Sequence, residues 1–442
     1  MRIILNQNEH NNFEHLLQDL AIQEASKTWG KDLIYERSAI DLRIFLSPFG
    51  SISLLYGSRQ IGKTASLKLF LSQLKDSEVI VFTDCSIILN KNDLYHHLSG
   101  LIPSRDQKCT IVLDEVQAVD QWHLALRTLY GEGKLANCRI WCTGSEARYL
   151  LESGERLPGR KGEGREIFAR PWSFREYMDF FYPDKVKPFR EIDFKTINQN
   201  WIIQNTIDLS QEWAQYSHSG GIPKLLGEFH MKKEISDASF RVYQDWILGT
   251  WSKLRTSEAS LTALSRRLCD SMNSRVSMES LKRGTDILSA NTVKTLIDMQ
   301  EDHFAIHSLH RYDLQKKRHL PAKQRKIYPI DPGIARVWAS IGNSITRLIN
   351  QKIPALPLDE CAFYTQMLRH HPEIEIGYLY SEKSQTEIDF FFKGCAFELK
   401  SQGKPTSNQF KLLKEAPQAF FLNRSQVPLM AYLIGEKRGT GF

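Results

Sequence analysis

Residues 57–66 read GSRQIGKTAS, and this stretch decides the fold of the first half of the chain. It fits the pattern G-x-x-x-x-G-K-[ST], with Gly57, Gly62, Lys63 and Thr64 at the fixed positions. An apolar run, SISLLY, precedes it and a helical pattern, KTASLKLFLSQL, follows, which is the placement that a phosphate-binding loop requires. An ordinary glycine-containing turn is the alternative, but a chance match is expected in only about one or two of a hundred such chains.

The chemistry of such a loop is direct. Successive backbone N–H groups and the helix N-terminus surround the phosphates, the lysine reaches the β- and γ-phosphates, and the next hydroxyl binds Mg²⁺. We therefore expect ATP and Mg²⁺ at Lys63 and Thr64. The residues expected to line the nucleotide are Gly57, Ser58, Arg59, Gln60, Ile61, Gly62, Lys63, Thr64 and Ala65.

A second stretch, TIVLDEVQ, places two carboxylates after an apolar run. Asp114 is expected to hold Mg²⁺, directly or through water, and Glu115 to orient and deprotonate the attacking water, so the pair implies hydrolysis. An Asp-Glu pair after a strand is also typical of an ordinary helix N-cap region. The next apolar run, RIWCTGSEA, ends in Thr143 and Ser145, which are expected to sense the γ-phosphate.

Short apolar runs alternate with helical patterns from residue 51 to about residue 170. SISLLYG, EVIVFTD, CTIVLDE, RIWCTGS and REIFARP read as buried strands, and KTASLKLFLSQL and QWHLALRTLYG as helices between them. This alternation predicts an α/β fold with a parallel sheet covered on both faces. The first fifty residues are expected to be mainly helical, residues 174–250 to form a helical lid, and residues 251–326 a winged-helix module followed by a basic connector, QKKRHLPAKQRK, that is solvated.

The loop LPGRKGEGREIFARP contains three arginines, Arg160, Arg165 and Arg170. One of them is expected to act as an arginine finger, and Arg160 is our candidate for a nucleotide contact. A solvated basic loop is the alternative for each of them.

The segments YGSRQIGKT, LDEVQ, CTGSEARYL, LPGRKGEGREI, RPWSFREY and SGGIPKLL occur in an order that resembles one group of prokaryotic AAA-type ATPases of the ASCE division. The resemblance covers roughly residues 35–230 and implies Mg-ATP binding and hydrolysis. It also implies that Pro223, in GGIP, lies near the adenine. A proline in the first turn of a helix is the ordinary alternative.

Near the end of the chain, residues 387–400 read EIDFFFKGCAFELK. A two-residue turn at Lys393-Gly394 would place Asp389 opposite Glu398 and Glu387 opposite Lys400, on one face of a hairpin. Two carboxylates directly opposite each other are destabilising unless a positive charge lies between them. The other face would be apolar and carry Ile388, Phe390, Phe392, Cys395, Phe397 and Leu399.

A divalent cation, Mg²⁺ or Mn²⁺, held by Asp389 and Glu398 with help from Glu360 would supply that charge. Lys400 would then lie near the scissile phosphate and stabilise the pentavalent anion or orient water, which is the chemistry of a nuclease. A solvated polar face, or a Glu387–Lys400 ion pair, explains the same pattern without a metal.

The stretches KIYPIDPGIARVW, LDECAFYTQML, TEIDFFF and AFELK resemble the C-terminal PD-(D/E)xK nuclease-like domain that members of this ATPase group frequently carry. This second resemblance covers about residues 327–442. Together the two resemblances imply an ATPase core at residues 51–173 that controls the cleavage of nucleic acid. DNA is a more expected substrate than RNA. The resemblances also imply a role in defence against foreign nucleic acid. The alternative is an ATP-driven switch or scaffold whose C-terminal domain is inactive and binds DNA or protein.

The composition is that of a globular protein, with 42% hydrophobic and 25% charged residues among 442 and a net charge of +7. No apolar run reaches the length of about eighteen residues that spans a membrane, and no signal-peptide pattern begins the chain. The seven cysteines show no CxxC pair and are expected to be reduced thiols. We therefore expect a cytoplasmic protein that has no membrane partner, and a homo-oligomer stays open.

Overall fold

A computed structural model of the chain describes residues 2–5, 8–10, 42–74, 78–104, 106–146, 162–252, 254, 256–321, 324–343, 358–368, 376–400 and 404–435. The chain divides into two compact units, of which unit 1 contains residues 1–170 and 302–304 and unit 2 contains residues 171–301 and 305–442. The predicted lid, winged-helix module and C-terminal domain therefore belong to one unit. None of the described helices has both the length and the apolar character needed to cross a membrane.

Unit 1 is built on one sheet. Its strands are β1 (Arg2–Leu5), β2 (Asn8–His10), β3 (Ser51–Gly57), β4 (Val79–Asp84), β5 (Cys109–Asp114), β6 (Cys138–Gly144) and β7 (Glu166–Ala169). They lie in the order β2-β1-β4-β5-β6-β3-β7. The pair β1–β2 is antiparallel and the other neighbours are parallel. The five strands predicted from apolar runs, β3 to β7, are confirmed.

Helices connect the parallel strands, as parallel pairing requires. They are α1 (Lys63–Leu71), α2 (Lys91–Leu101) and α3 (Trp122–Gly131), and 3₁₀ turns occur at Leu42–Phe45, Cys85–Ile87 and Val116–Ala118. Every residue of β5 and β6 is buried. Continuous burial explains why these strands read as unbroken apolar runs in the sequence.

The start of the chain does not follow the helical prediction. Residues 2–5 form a strand that pairs in parallel with Val79–Phe82 of β4, and residues 8–10 pair antiparallel to it. The prediction was wrong for these residues because local propensity does not take account of the backbone hydrogen bonds that the edge of a sheet offers. The helical prediction for residues 11–41 lies outside the described residues.

Unit 2 begins with a helical region. Its helices are α4 (Phe174–Phe181), α5 (Pro183–Val186), α6 (Gln199–Asn205), α7 (Ser210–Ser219), α8 (Pro223–Lys232) and α9 (Asp237–Trp251), with a 3₁₀ turn at Lys187–Phe189. Three more helices follow, α10 (Glu258–Asp270), α11 (Met278–Lys282) and α12 (Ala290–Asp302). After them come β8 (Ile306–His310), β9 (Tyr312–Asp313), β10 (Arg318–His319) and β11 (Arg325–Pro329). Strands β8 and β11 form an antiparallel pair, and β9 and β10 form a short hairpin between them.

The last part of unit 2 contains a four-stranded sheet. Its elements are α13 (Pro332–Gly342), α14 (Leu358–Leu368), β12 (Ile376–Ser381), β13 (Thr386–Phe392), β14 (Cys395–Lys400), α15 (Ser407–Leu413), β15 (Gln418–Asn423) and α16 (Val427–Ile434). The strand order is β12-β13-β14-β15. Strands β12, β13 and β14 are antiparallel, whereas β15 lies parallel to β14 across a connection that contains α15.

One expectation for this region needs correction. The apolar run LMAYLIGE reads as a strand by its composition, but its residues Leu429–Ile434 lie in helix α16, whose residues are all buried. A helix that is buried on all sides is apolar all round, so the sequence gives no 3.6-residue period, and Pro428 in the first turn is the remaining sign of a helix start. The β13–β14 hairpin is also covered near its turn on both faces, because Phe391 and Ala396 pack with Tyr312 and Leu412 in one apolar cluster.

Candidate functional site

The phosphate-binding loop joins β3 to α1 in unit 1. Gly57 has φ +154 and an added Cβ would lie 2.3 Å from the Ala169 carbonyl oxygen, so this position excludes a side chain for steric reasons. Gly62 has φ +94, which favours glycine, but an added Cβ would meet nothing within 4 Å. The space beside Gly62 is therefore open, as a loop that receives phosphates requires.

Lys63 is folded back onto this loop. Its Nζ donates hydrogen bonds of 2.9 Å to the carbonyl oxygens of Gly57 and Ser58. Burial lowers the pKa of Lys63 to about 8, although the charges of Glu115 and Asp114 act in the opposite direction. A buried ammonium that is bonded only to neutral carbonyl oxygens retains its attraction for phosphate oxygens.

Asp114, at the end of β5, meets the hydroxyl next to Lys63. Thr64 Oγ1 donates to the Asp114 carboxylate at 2.9 Å, and Thr143 Oγ1 donates to it at 2.5 Å. Burial raises the pKa of Asp114, and the two hydroxyls partly offset this. The predicted Mg²⁺ ligands Thr64 and Asp114 are thus in direct contact, and the partners of the carboxylate are neutral.

Glu115 follows in a left-handed backbone conformation, with φ 52. Its backbone N–H donates to Thr143 Oγ1 at 3.0 Å. Its carboxylate accepts hydrogen bonds from Gln117 and from Ser145. The ends of β5 and β6 therefore bring together the carboxylates and the hydroxyls that were predicted to act on the γ-phosphate.

The other predicted nucleotide contacts differ in their positions. Arg59 and Gln60 are exposed on the loop, Ser58 and Ile61 are buried, and Ala65 lies in the first turn of α1. Arg160 lies outside the described residues.

Of the two other arginines, Arg165 donates to the Ile44 carbonyl oxygen at 3.1 Å. Arg170 lies over the Phe168 ring, 4.9 Å from its centroid. Both guanidinium groups have contacts within unit 1, and an arginine finger at any of the three stays a prediction.

Pro223 is the first residue of α8 in unit 2, and its proximity to adenine stays a prediction. The glycines before it are fixed by Asp331, whose carboxylate accepts the Gly221 N–H at 2.6 Å and the Gly333 N–H at 2.7 Å. An added Cβ on Gly220 would lie 1.9 Å from Asp331 Oδ1, and one on Gly221 would lie 1.9 Å from the Trp172 carbonyl oxygen. The GGIP sequence is thus required by close packing inside unit 2.

The C-terminal hairpin has the predicted register. Lys393 and Gly394 form its turn, with φ 48 and 83, and Phe390 pairs with Phe397 as a two-residue turn requires. Asp389 and Glu398 lie next to each other on the two strands, since the Asp389 N–H lies 3.3 Å from Glu398 Oε2.

A lysine that the sequence interpretation assigned to a solvated connector lies among these carboxylates. Lys326, on β11, has a fully buried side chain, and its Nζ lies 2.7 Å from Glu387 Oε1 and 3.1 Å from Asp389 Oδ1. The Glu360 carboxylate is 3.8 Å from the same Nζ and accepts a hydrogen bond of 3.1 Å from Tyr328. Burial alone lowers the pKa of Lys326, but the surrounding acidic groups outweigh burial and raise it.

The remaining charges are paired as well. Arg275 Nε lies 2.6 Å from Glu387 Oε2, so Glu387 pairs with Lys326 and Arg275 and the alternative of a Glu387–Lys400 pair is wrong. Lys400 Nζ instead lies 2.8 Å from Glu398 Oε1, which also accepts a hydrogen bond of 2.5 Å from Gln409. Burial, and next the charge of Asp389, raise the pKa of Glu398.

We tested whether these residues fit a divalent cation. In the part of the chain that the structure describes, no group of three or more His, Cys, Asp or Glu side chains is arranged to hold a metal ion. The Lys326 ammonium is within 3.8 Å of both Glu360 and Asp389 and takes up the charge that a cation would use. In this arrangement the donor set does not fit the predicted metal.

The β9–β10 hairpin presents a positive surface. Lys316, Lys317 and Arg318 are exposed at its turn and on β10. The hairpin follows helices α10 to α12 and strand β8, and it precedes β11, the antiparallel partner of β8.

Comparison with known families bears on unit 1. Residues 50–178 match the family model described as an AAA domain. This part of the chain is an AAA-type ATPase domain. The match begins just before β3 and contains every predicted ATP and Mg²⁺ ligand of unit 1.

Two curated relatives extend beyond the ATPase domain. An uncharacterized protein of Methanocaldococcus jannaschii is 25% identical over 315 residues, which cover 65% of this chain and 63% of that protein. An uncharacterized protein of Haemophilus influenzae is 22% identical over 381 residues, 81% of this chain and 85% of that protein. The alignment thus spans less than two thirds of the length of the first relative.

Solved structures are similar at a low level. The Aeropyrum pernix ORC1 protein, solved in complex with DNA, matches 76% of this chain and 98% of that chain, with 16% identity and a TM-score of 0.34. Cdc6p from Pyrobaculum aerophilum matches 74% of this chain and 96% of that chain, with 14% identity and a TM-score of 0.29. Structural similarity at this level carries no argument about the function of this chain.

Sequence reasoning missed Gln117 beside Glu115, Lys326 and Gln409 beside the hairpin carboxylates, and Asp331, which fixes the GGIP glycines. Gln117 could have been noticed in LDEVQ because it follows the carboxylates of the ATPase domain directly. Lys326 lies in QRKIYPI, where the apolar residues after it mark a buried strand. Asp331 precedes a proline and a glycine, and nothing in its neighbourhood indicates the distant glycines that it binds.

Proposed function

We propose that this protein is an Mg-ATP-hydrolysing switch whose nucleotide state controls nucleic-acid binding by unit 2. The observation that carries the ATPase part is the contact between Thr64 and Asp114, at 2.9 Å, beside the buried ammonium of Lys63. A hydroxyl and a carboxylate that touch beside a lysine form the donor set that Mg-ATP requires.

Each side chain has a defined task in hydrolysis. Lys63 would exchange its two carbonyl partners for the β- and γ-phosphate oxygens, and Thr64 and Asp114 would hold Mg²⁺. When bound there, Mg²⁺ would supply positive charge to the β- and γ-phosphates. Glu115 accepts a proton from the attacking water, and Thr143 holds the Glu115 backbone through the N–H bond of 3.0 Å.

Two observations support nucleic acid as the ligand of unit 2. Lys316, Lys317 and Arg318 are exposed on the β9–β10 hairpin, where they can contact phosphates. The order of three helices, a strand, the hairpin and a second strand supports the winged-helix interpretation, in which the hairpin is the wing. We propose duplex DNA as the ligand.

The carboxylates of the four-stranded sheet support a binding role over cleavage. Lys326 lies 3.1 Å from Asp389 and 2.7 Å from Glu387, and Arg275 lies 2.6 Å from Glu387, so two cations balance these two carboxylates. Buried ion pairs of this kind fix a local structure and leave little charge for a divalent cation.

Fluorescence anisotropy with labelled duplex DNA tests the switch. We expect DNA affinity to differ between ATPγS and ADP by about tenfold, which corresponds to a coupling free energy of about 1.4 kcal/mol. Lys63→Met should remove this difference, because the variant loses its phosphate contact. A triple variant, Lys316→Ala, Lys317→Ala and Arg318→Ala, should weaken binding in every nucleotide state and lower the salt dependence.

Exposed lysines elsewhere in unit 2 serve as the matched control. Lys232→Ala with Lys233→Ala removes positive charge from the end of α8 and should leave DNA affinity unchanged. Equal DNA affinity of the wild type in ATPγS, ADP and no nucleotide would rule out the switch.

Metal-dependent cleavage of DNA is the second candidate function. It is favoured by the hairpin register, which places Asp389 beside Glu398 and Lys400 beside Glu398 at 2.8 Å, with the topology of α14, β12, β13, β14, α15 and β15 around them. The PD-(D/E)xK resemblance is part of this second proposal.

A cleavage assay decides between the two candidates. Supercoiled and linear DNA are incubated with Mg²⁺ or Mn²⁺ in the presence of ATP, ADP or neither, and Lys400→Ala, Asp389→Ala and the exposed control Lys404→Ala are compared with the wild type. Cutting that requires Lys400 and Asp389 but not Lys404 would establish the nuclease. An absence of metal-dependent cutting under all conditions would leave the binding role.

A further inference from the structure

Gln117 lies two residues after Glu115 and contacts its carboxylate. Gln117 Nε2 donates to Glu115 Oε2 and lies 3.2 Å from Ser145 Oγ. Ser145 Oγ donates to the same carboxylate oxygen at 3.2 Å. The three side chains therefore form a closed triangle of hydrogen bonds at the ends of β5 and β6.

Both hydrogen bonds to the carboxylate fall on one oxygen. Glu115 Oε2 accepts from Gln117 and Ser145, whereas Oε1 accepts no hydrogen bond from the residues that the structure describes. The backbone of Glu115 is held as well, through Thr143, in its left-handed conformation. Fixing one oxygen and the backbone leaves the other oxygen with a defined direction.

The orientation of the Gln117 amide has a cost. Its Oε1 is buried and has no hydrogen-bond partner in the described part of the chain. An unsatisfied buried acceptor destabilises the folded state. Turning the amide around would not remove this cost, because Oε1 would then face the Glu115 carboxylate, which is also an acceptor. The contact with Glu115 therefore decides how Gln117 lies.

We propose that Gln117, together with Ser145, is a positioning residue for ATP hydrolysis that holds Glu115 Oε2 so that Oε1 receives the proton of the attacking water. This inference rests on the proposed role of Glu115 as general base. In the step, one O–H bond of water breaks and its proton moves to Oε1. The water oxygen bonds to the γ-phosphorus, and the bond from that phosphorus to the β–γ bridging oxygen breaks, so ADP leaves with the electron pair.

Steady-state phosphate release and nucleotide titration test the proposal on the full chain. Gln117→Met keeps the length of the side chain but donates no hydrogen bond. We expect kcat to fall about 10- to 100-fold, a fraction of what a general base contributes, while KM and the affinity for a fluorescent ATP analogue stay within about twofold. Ser145→Ala should lower kcat by a smaller factor. Gln107→Met, an exposed glutamine of the same unit, should change neither parameter.

Further variants separate a positioning role from a structural one. Gln117→Asn keeps the amide but shortens its reach and should also lower kcat with KM unchanged, so that the test does not depend on one variant that folds poorly. A kcat of Gln117→Met and Gln117→Asn within about twofold of the wild type would overturn the proposal. A parallel loss of nucleotide affinity and thermal stability would overturn it too, because it would show a structural role.

Glu115→Gln distinguishes this inference from the proposal beneath it. If Glu115→Gln binds the analogue and does not hydrolyse ATP while both Gln117 variants are fully active, only the role of Gln117 is refuted. If Glu115→Gln hydrolyses ATP at the wild-type rate, the role of Glu115 as general base fails first.

Discussion

The two buried carboxylate sites of this protein have similar residues but opposite partners. In unit 1, Asp114 accepts hydrogen bonds from the hydroxyls of Thr64 and Thr143. In unit 2, Asp389 faces the ammonium of Lys326 at 3.1 Å and accepts the Leu399 N–H at 2.9 Å. One carboxylate is therefore held by neutral groups and the other by a charge.

This difference decides what each site can bind. A hydroxyl satisfies the hydrogen-bonding capacity of a carboxylate but leaves its negative charge available to Mg²⁺. An ammonium at a similar distance compensates the charge itself, and the pair is expensive to break because the ammonium is fully buried and the carboxylate is largely buried. Similar acidic motifs thus support a cation site in unit 1 and an internal ion-pair network in unit 2.

Asp114→Asn should give the largest effect. The amide keeps an acceptor for the two threonines but loses the charge that holds Mg²⁺. We expect ATP hydrolysis to fall by about 100-fold or more while the melting temperature changes little. Phosphate release and thermal unfolding measure the two effects.

The matched control is Asp84→Asn. Asp84 lies beside Asp114 in the register of β4 and β5 but caps a 3₁₀ turn. The Asp84→Asn variant should hydrolyse ATP at a rate within about threefold of that of the wild type. Equal losses of ATP hydrolysis in the two variants would show that negative charge anywhere at this edge of the sheet supports the reaction, and that the Thr64–Asp114 contact is not specifically required.

Lys326→Met should have the next largest effect, which is a loss in the free energy of unfolding of unit 2. It leaves the largely buried Asp389 without its ammonium partner, while Glu387 keeps Arg275, and removing one partner of a buried pair costs about 3–5 kcal/mol. Urea denaturation followed by circular dichroism measures the transition of unit 2. Lys232→Met, which removes an exposed i,i+4 partner of Glu228, should cost about 0.5 kcal/mol or less.

A compensating variant separates charge from packing at Lys326. Adding Asp389→Asn to Lys326→Met should recover part of the lost stability, since the carboxylate that lost its ammonium partner is then neutral, while Glu387 keeps Arg275. If the double variant is as unstable as the single one, packing of the lysine stem and not its charge holds the cluster together.

Asp331 is a third case, because its buried carboxylate accepts hydrogen bonds from the backbone N–H groups of Gly221 and Gly333. Burial raises the pKa of Asp331 to about 7 in the folded chain, above its ordinary value of 3.8. Between these values the folded state holds a proton that the unfolded state releases, so this group lowers the free energy of unfolding as pH rises. We expect a contribution of about 2 kcal/mol between pH 5 and 7.

Urea denaturation of the wild type and Asp331→Asn at several pH values measures this contribution. The variant should be less stable at every pH, because a buried backbone N–H group loses its acceptor. The fall of its free energy of unfolding between pH 5 and 7 should lack the contribution of Asp331. Identical slopes would contradict the assigned pKa.

Arg275→Ala should have the smallest effect. The Arg275–Glu387 pair is about one quarter exposed on both sides, and Glu387 keeps Lys326 as a partner. We expect a loss of about 1 kcal/mol or less, part of it from the contact of Arg275 with the Tyr380 ring at 3.6 Å. A loss as large as that of Lys326→Met would mean that the network is shared equally by the two cations.

The parts of the fold that the sequence predicted are those encoded locally. Apolar runs identified β3 to β7 because both faces of a parallel sheet are buried, and Lys393-Gly394 gave the hairpin register because both turn residues adopt positive φ. The run LMAYLIGE was misassigned because a fully buried helix and a buried strand have the same composition.

The sequence by itself determined the phosphate-binding loop and its carboxylates. Their chemistry depends on residues at fixed spacing on a strand, a turn and a helix, so a short motif contains nearly all of the information. Only the tertiary structure decided which partner each carboxylate has. Lys326 reaches Asp389 across 63 residues of sequence, and Asp331 reaches Gly221 across 110. Whether a buried charge meets a hydroxyl, an N–H group or an ammonium depends on how distant strands pack, and that choice separates a cation site from an ion pair.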